Sequence, residues 1–330
     1  MSDAVSIQVN EHRAREKGRG RSAEKPHHIP WLGWKDILYR LKDEISEDRV
    51  GTIAAGTTFF ILLSLFPALA ALVSLYGLIA DPATIGTHLT DLRGYVPSAM
   101  IELLEGELQR LISNRNSTLG LGFVIGILLT LWSANNGMKA LFDALNVAYD
   151  ETEKRGFFRL LLVSFAFTIG GLVFLIVALN VVVGIPLVVQ LLHLRLLGDI
   201  LVTALPGLLM FGIAILGMAM LYRYGPSRTM PQWRWITPGS IVAAVFWVIG
   251  SALFSWYVAN WGNYSATYGS LGAIVGVMMW IYLSMWIVLV GAELNAEIEH
   301  QTARDTTVGP EKPLGERGAS MADRVGAARA

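Results

Sequence analysis

Apolar and polar positions in this chain fall into long blocks rather than a short alternation. Six stretches carry no Asp, Glu, Lys, Arg or His: residues 50–80, 116–138, 160–192, 200–222, 235–261 and 262–292. Each reaches or exceeds the roughly 20 residues a helix needs to cross the hydrocarbon core of a bilayer. Inside lipid, backbone N–H and C=O groups must be satisfied within the segment, so apolar blocks of this length predict α-helices. The expected fold class is all-α: a polytopic membrane helix bundle with six transmembrane helices and amphipathic interfacial helices beside it. The spans are placed near 52–80, 119–138, 160–184, 200–222, 237–259 and 269–293, within a transmembrane domain covering 50–300.

The polar blocks between and beyond the spans have their own patterns. Over residues 31–49, Trp31, Trp34, Ile37, Leu38, Leu41 and Ile45 recur near every 3.6 residues, with Lys35, Lys42, Asp43, Glu47 and Asp48 largely on other faces. That helix suits the membrane–water interface or a place packed under the bundle. A second amphipathic pattern follows Pro97 and runs to about residue 115, with Glu102, Glu105, Glu107 and Arg110 on its polar side. Residues 1–30 form a basic tail and 301–330 a polar one rich in Gly and Ala. Neither has hydrophobic periodicity, so both are expected to be disordered.

Several residues set local geometry within the spans. Pro67 removes an N–H and is expected to kink the first helix. Gly122 with Gly126 and Gly272 with Gly276 form two GxxxG pairs, which let helices approach closely, either within one bundle or between two copies. The oligomeric state is therefore left open.

Composition agrees with a membrane protein: 53% of residues are hydrophobic and 16% charged, where soluble domains carry about 25% charged residues. Net charge is zero, but its distribution is not even. Lys and Arg number 10 before the first span, then 3, 4, 1, 3 and 0 in the successive loops, and 5 after the last. Alternate segments hold 22 and 4 of the 26. Because basic residues favour the cytoplasmic side, both termini are placed in the cytoplasm. No short apolar core precedes position 50, so the first span is expected to act as an uncleaved insertion signal.

The chemistry carried by the chain is limited. There is no cysteine, which excludes disulfides and thiolate metal sites. No HExxH, P-loop, GxSxG or GxGxxG motif occurs, and the six histidines are scattered through tails and loops. No catalytic residue, cofactor, metal or nucleic-acid partner is expected. Glu293, Glu297 and Glu299 follow the last span and read as a solvated helix end. What remains is neutral polarity in and beside the spans. Ser64, Asn135, Asn136, Ser251, Ser255, Asn263, Tyr264 and Tyr268 could line a path for a polar solute or hydrogen-bond between helices. Asn136, Ser64, Asn263 and Tyr268 are the first choices for a path.

Three segments resemble the YihY/BrkB family of bacterial inner-membrane proteins, once labelled ribonuclease BN. They are Ala54-Ala55-Gly56-Thr57-Thr58 through Ser64-Leu65-Phe66-Pro67, Leu131-Trp132-Ser133-Ala134-Asn135-Asn136-Gly137 through Lys154-Arg155-Gly156, and Trp235-Ile236-Thr237-Pro238-Gly239 through Gly291-Ala292-Glu293-Leu294-Asn295. Phe59 stands where the family often carries tyrosine. The resemblance covers about residues 33–300 and implies six membrane helices with cytoplasmic termini in the bacterial inner membrane. It supplies no agreed activity or substrate-binding residues, and nothing in the chain provides a nuclease centre. The expected function is a transporter or flippase-like protein for a lipid-like or neutral polar solute, with membrane lipids as its surroundings. The alternative is a scaffold that organises the envelope without transport.

Overall fold

The computed structural model describes residues 2–76, 101, 105–106, 109, 121–191, 198–260 and 271–329. The second amphipathic pattern near 97–115, with Asn263, Tyr264 and Tyr268, lies outside them or nearly so. Among the described residues the regular structure is helical: α1 (Ser2–Ala14), a 3-10 turn (Pro26–His28), α2 (Trp31–Glu47), α3 (Val50–Tyr76), α4 (Leu121–Ala148), α5 (Phe157–Leu191), α6 (Gly198–Tyr224), α7 (Trp233–Asn260), α8 (Gly272–His300) and α9 (Ser320–Asp323). The apolar blocks propagate as helices because a segment in lipid has no other way to satisfy its backbone. Helix α3 continues through Pro67, and α5 runs past Gly184 and Pro186, where the third span was expected to end.

Among the described residues, four helices are long and apolar enough to cross a membrane: Phe157–Phe174, Gly207–Tyr224, Trp233–Asn260 and Ile274–His300. A fifth candidate pairs Trp31–Glu47 with Val50–Leu65, which meet at 58°. The chain is therefore a helical membrane bundle. The bend between α2 and α3 sits at Asp48-Arg49, where Arg49 takes φ 51°, a left-handed conformation that costs an ordinary residue roughly 1–2 kcal/mol.

The long helices close a ring. α3 packs on α4, α4 on α5, α5 on α6, α6 on α7, α7 on α8, and α8 returns to α3. The largest apolar core lies at the end of the bundle that carries both chain termini, around Val50, Ala54, Leu145, Tyr149, Tyr222, Ile236, Ala243, Leu289 and Ala292. A second cluster joins α2 to the ends of α7 and α8 through Ile37, Trp235, Leu294 and Ile298. Along α2 the buried stripe is Gly33, Asp36, Ile37 and Arg40, at i, i+3, i+4 and i+7, while Trp31 and Leu38 of the apolar stripe are exposed. Trp34, Leu41 and Ile45 of that stripe pack against the two clusters, so the helix lies packed under the bundle with Asp36 and Arg40 buried beside its apolar face.

The two tails depart most from the expected disorder. They meet across the same end of the bundle. Gln301 donates to the Arg19 carbonyl at 2.7 Å, Ala303 N–H to the Arg21 carbonyl at 2.8 Å, and Gly326 N–H to the His300 carbonyl at 2.8 Å. Arg21 donates to the Gly326 carbonyl at 2.7 Å, and Arg317 to the Ala322 carbonyl at 2.6 Å. A chain poor in apolar residues is ordered here because buried guanidinium groups find backbone carbonyls, which hydrophobic periodicity does not register.

Helices α7 and α8 cross closely at two glycines. A Cβ on Gly239 would lie 2.2 Å from the Gly291 carbonyl, and one on Gly291 would lie 2.5 Å from the Tyr222 hydroxyl. At Gly239 the nearest neighbour is backbone, so no rotamer change relieves the overlap. Gly239→Ala is expected to lower stability by about 1–3 kcal/mol through overpacking, read as an earlier melting transition of the detergent-solubilised protein. Gly170→Ala, which meets nothing within 4 Å, is the control that leaves the transition in place.

Candidate functional site

The last turns of α8 organise the polar end of the bundle. Every residue from Gly291 to Glu299 is buried, so this stretch is enclosed on all sides. Successive residues of a helix advance by about 100°, which puts Glu293 and Glu297 on one face and Asn295 and Glu299 on the other. Glu293 is 1% exposed, and Asn295, Glu297 and Glu299 are 0% exposed. The solvated helix end expected from the sequence is instead the centre of a protein layer. The tails and α2 cover it, and the long polar side chains read as solvent-facing have partners brought from distant positions.

Glu299 receives two bonds from Arg228, at 2.6 and 3.1 Å, and a third from the Thr306 hydroxyl at 3.0 Å. Both side chains of the Arg228–Glu299 pair are fully buried, and the guanidinium lies 4.2 Å from the centre of the Tyr149 ring. Beside them Asn295 straddles the proline in α7. Its Oδ1 accepts the Gly239 N–H at 2.8 Å and its Nδ2 donates to the Ile236 carbonyl at 3.0 Å. Pro238 cannot donate into the helix ladder, and Asn295 supplies bonds where that ladder is interrupted.

On the opposite face Glu297 pairs with Arg40 of α2, with His300 at 3.3 Å. Arg40 also donates to Gln301 Oε1 at 2.8 Å and to the Ala327 carbonyl at 2.9 Å, joining α2, α8 and the C-terminal segment. Glu293, one turn earlier, has no such cation. No N–H or O–H donor bonds either of its oxygens. Asp48 of the α2–α3 turn is its acidic neighbour, within hydrogen-bonding reach, and Glu44 stands close by. Burial, then the negative charges of Glu297 and Asp48, lifts the Glu44 carboxyl to about 7.

The loop after α4 ties the layer to α6. Arg155 donates to the Tyr224 and Gly225 carbonyls at 3.2 and 2.8 Å, satisfying the C-terminal end of α6. Burial works against the charge of Glu153, but its bonds from the Arg155 side chain and backbone outweigh that and hold it at about 2.

The neutral residues singled out in the sequence are spread along the bundle. Ser64 donates to the Phe60 carbonyl and accepts the Gly137 N–H at 2.9 Å, joining α3 to α4. Asn135 donates to Ser164 and accepts from Thr168, both at 3.0 Å, joining α4 to α5. Ser251 accepts the Trp280 indole N–H at 3.1 Å, and nearby Ser284 accepts that of Trp247 at 3.0 Å. Ser255 is half-buried on α7, one turn beyond Ser251. Asn136 is exposed on α4, turned away from buried Asn135. Gly272 and Gly276 are buried on α8; Gly122 and Gly126 lie in the first turns of α4, where surrounding side chains fall outside the description. Asn263, Tyr264 and Tyr268 also fall outside it. Sequence reasoning missed Arg40, Arg228, Asp48 and Tyr149 as parts of one layer. The only sequence signal for that layer is the alternation of Glu293, Asn295, Glu297 and Glu299 directly after an apolar span.

Comparison with known proteins gives a consistent set. The model of the family described as virulence factor BrkB matches residues 41–315. The ribonuclease-like protein YfkH of Bacillus subtilis is 34% identical over 74% of this chain and 88% of its own. A UPF0761 membrane protein of Pseudoalteromonas translucida is 26% identical over 86% of this chain and 90% of its own. Another, from Haemophilus influenzae, is 24% identical over 77% and 91%. No solved structure matches.

The Arg228–Glu299 pair offers a direct test of the buried layer. Removing one partner leaves the other charge stranded, which costs about 3–5 kcal/mol, whereas replacing both with apolar residues of similar size costs far less. Arg228→Met alone is expected to unfold the solubilised protein at a markedly lower temperature. Arg228→Met with Glu299→Leu should recover most of the loss in the same melting measurement.

Proposed function

This chain belongs to the virulence factor BrkB family, and we propose that it moves a lipid-like or neutral polar solute across the bacterial inner membrane. The observation that carries this reading is an unevenness around the ring of helices. The terminus-bearing end is sealed by the buried pairs around α8. Of the candidate spans, 17%, 22% and 11% are buried in α5, α6 and α7, against 44% in α8. In α6, Gly207, Leu208 and Leu209 are all exposed, and three successive residues cover about 200° of a helix. Accessible surface wider than a single lipid-facing stripe supports a cleft that opens toward the membrane or the side opposite the termini.

In this reading the ring of α3 to α8 makes six crossings, with both termini in the cytoplasm. The distribution of 22 and 4 basic residues between alternate segments supports that orientation. Membrane lipids are the natural surroundings, the solute is small and neutral or lipid-like, and nucleic acid has no part. Ser64, Asn135, Asn136 and Ser251, with Asn263 and Tyr268, remain the residues offered for the path. A second reading has its own support. Ser64, Asn135 and Ser251 spend hydrogen-bonding capacity between helices, as a non-transporting envelope scaffold would require. The name of the Bacillus relative suggests a nuclease, but among the described residues no group of three His, Cys, Asp or Glu is placed to hold a metal ion.

Two measurements test this. Purified protein in liposomes should accelerate movement of fluorescent phospholipid analogues or of a member of a neutral-solute panel. If neither moves faster than in protein-free liposomes, and envelope lipids and excreted solutes match between knockout and complemented cells, the scaffold reading replaces transport. For orientation, the natural lack of cysteine allows single-site labelling. Ser22→Cys is expected to resist a membrane-impermeant thiol reagent in intact cells and to react after permeabilisation, with Ser117→Cys showing the reverse. The opposite pattern would invert the topology.

A further inference from the structure

Glu293 is the one acid of the α8 layer whose position the ion pairs do not explain. It is 1% exposed, and among the described residues no N–H or O–H donor bonds either oxygen. An ionised carboxylate buried in that way is costly, and in proteins such a group is paired, hydrogen-bonded or neutralised. What faces it is more acid. Asp48 comes from the α2–α3 turn and Glu44 from the last turn of α2, while Glu297 on its own helix is already engaged by Arg40 and His300. Just beyond the end of α4 the neutral phenol of Tyr149 is near, and burial keeps it protonated. Asp150 of the same segment acts on Asp48 and Glu44. Of the cations in the layer, Arg40 is committed to Glu297 and Arg228 to Glu299.

Two carboxyl groups in contact, away from a free cation, are stable when they share a proton. Glu293 is the buried partner. Asp48 and Glu44 are both half-buried, and they lead from the surface of the terminus-bearing end to it. Burial raises the Asp48 carboxyl; the bond from Glu293 opposes that, and Asp150 and Glu47 reinforce it. The turn that carries Asp48 also holds Arg49 in a left-handed conformation, so it is a place where stored backbone strain is available for movement.

We propose that Glu293 and Asp48 form a proton-binding site that loads from the terminus-bearing side past Glu44. The protonated pair holds the α2–α3 turn against α8. Loss of the proton sets two like charges against each other and loosens that contact. The sign follows: the contact is stable at low pH and is lost as pH rises. In the transport reading, on which only this last clause rests, the proton would drive or gate solute movement at the sealed end.

Infrared difference spectroscopy on full-length protein in liposomes, titrated from pH 5 to 9, reads the site without any transport assay. The expected result is a protonated-carboxyl C=O band that disappears as pH rises. It should be absent in Glu293→Gln and have a midpoint shifted by about one pH unit or more in Asp48→Asn. Hydrogen-exchange protection over residues 40–56, corrected for the base-catalysed rise in intrinsic exchange, should fall with pH in the wild-type protein and stay constant in Glu293→Gln. Should Glu293→Gln fail to fold, Asp48→Asn and Glu44→Gln still report through the midpoint. A titration unchanged by all three variants overturns the proposal. So does removal of the band at constant pH by sodium ions, which would make the site a metal-cation site. If the band behaves as expected and no solute moves, the proton site stands and the transport reading falls.

Discussion

Burial of the final turns of α8 is the constraint on which this structure rests. Four polar residues at alternate positions sit in a stretch with no exposed side, and carboxylates cannot be left there without compensation. Each solution places another part of the chain. Arg40 fixes α2 across the end of the bundle because its guanidinium must reach Glu297. Arg228 fixes the α6–α7 loop because it must reach Glu299. Asn295 bonds the start of α7 where Pro238 interrupts the helix. The tails complete the layer through Gln301, Thr306 and the carbonyl of Ala327. Interactions of this kind give modest net stability but demand particular geometry, which suits a layer that sets how helices meet.

The membrane-embedded part works on a different principle. Between apolar helices in lipid there is no hydrophobic gain from association, so close packing and hydrogen bonds between helices provide specificity. Ser64 with Gly137, Asn135 with Ser164 and Thr168, and the Trp247 and Trp280 pairs with Ser284 and Ser251 are such bonds. They join α3 to α4, α4 to α5 and α7 to α8.

The parts of this fold legible in the sequence were those governed by a local or summed property. Apolar block length marked the long helices, and 3.6-residue periodicity marked α2. Ser64, Asn135 and Ser251 were legible as polar residues in apolar surroundings, though not whether they bridge helices or line a path. The tails were misread because their order comes from arginines meeting carbonyls some 300 positions away, as Arg21 meets Gly326, and such contacts leave no periodic trace. Glu293, Glu297 and Glu299 were misread for a related reason. A charged residue after a span is ordinarily where water begins, and only the packing of α2 and the tails reveals that water is displaced here. Asn136 illustrates the reverse: two adjacent amides have the same composition, yet the helical turn buries Asn135 and exposes Asn136.

The uneven treatment of the acids of α8 is itself informative. Glu297 and Glu299 each have an arginine carried by a separate element, so both arginines cross-link helices while neutralising charge. An arginine opposite Glu293 would have served the same structural purpose, and the α2–α3 turn places Arg49 next to Asp48 in sequence. Yet Arg49 is exposed and Asp48 is the residue turned toward Glu293. A layer built only for rigidity would gain by the exchange of those two roles. Two acids in contact instead make the junction of α2, α3 and α8 depend on a mobile ion, and a proton is the smallest that a closed space can admit. The sealed end of the bundle thus contains one contact that can be switched without breaking any of its arginine pairs.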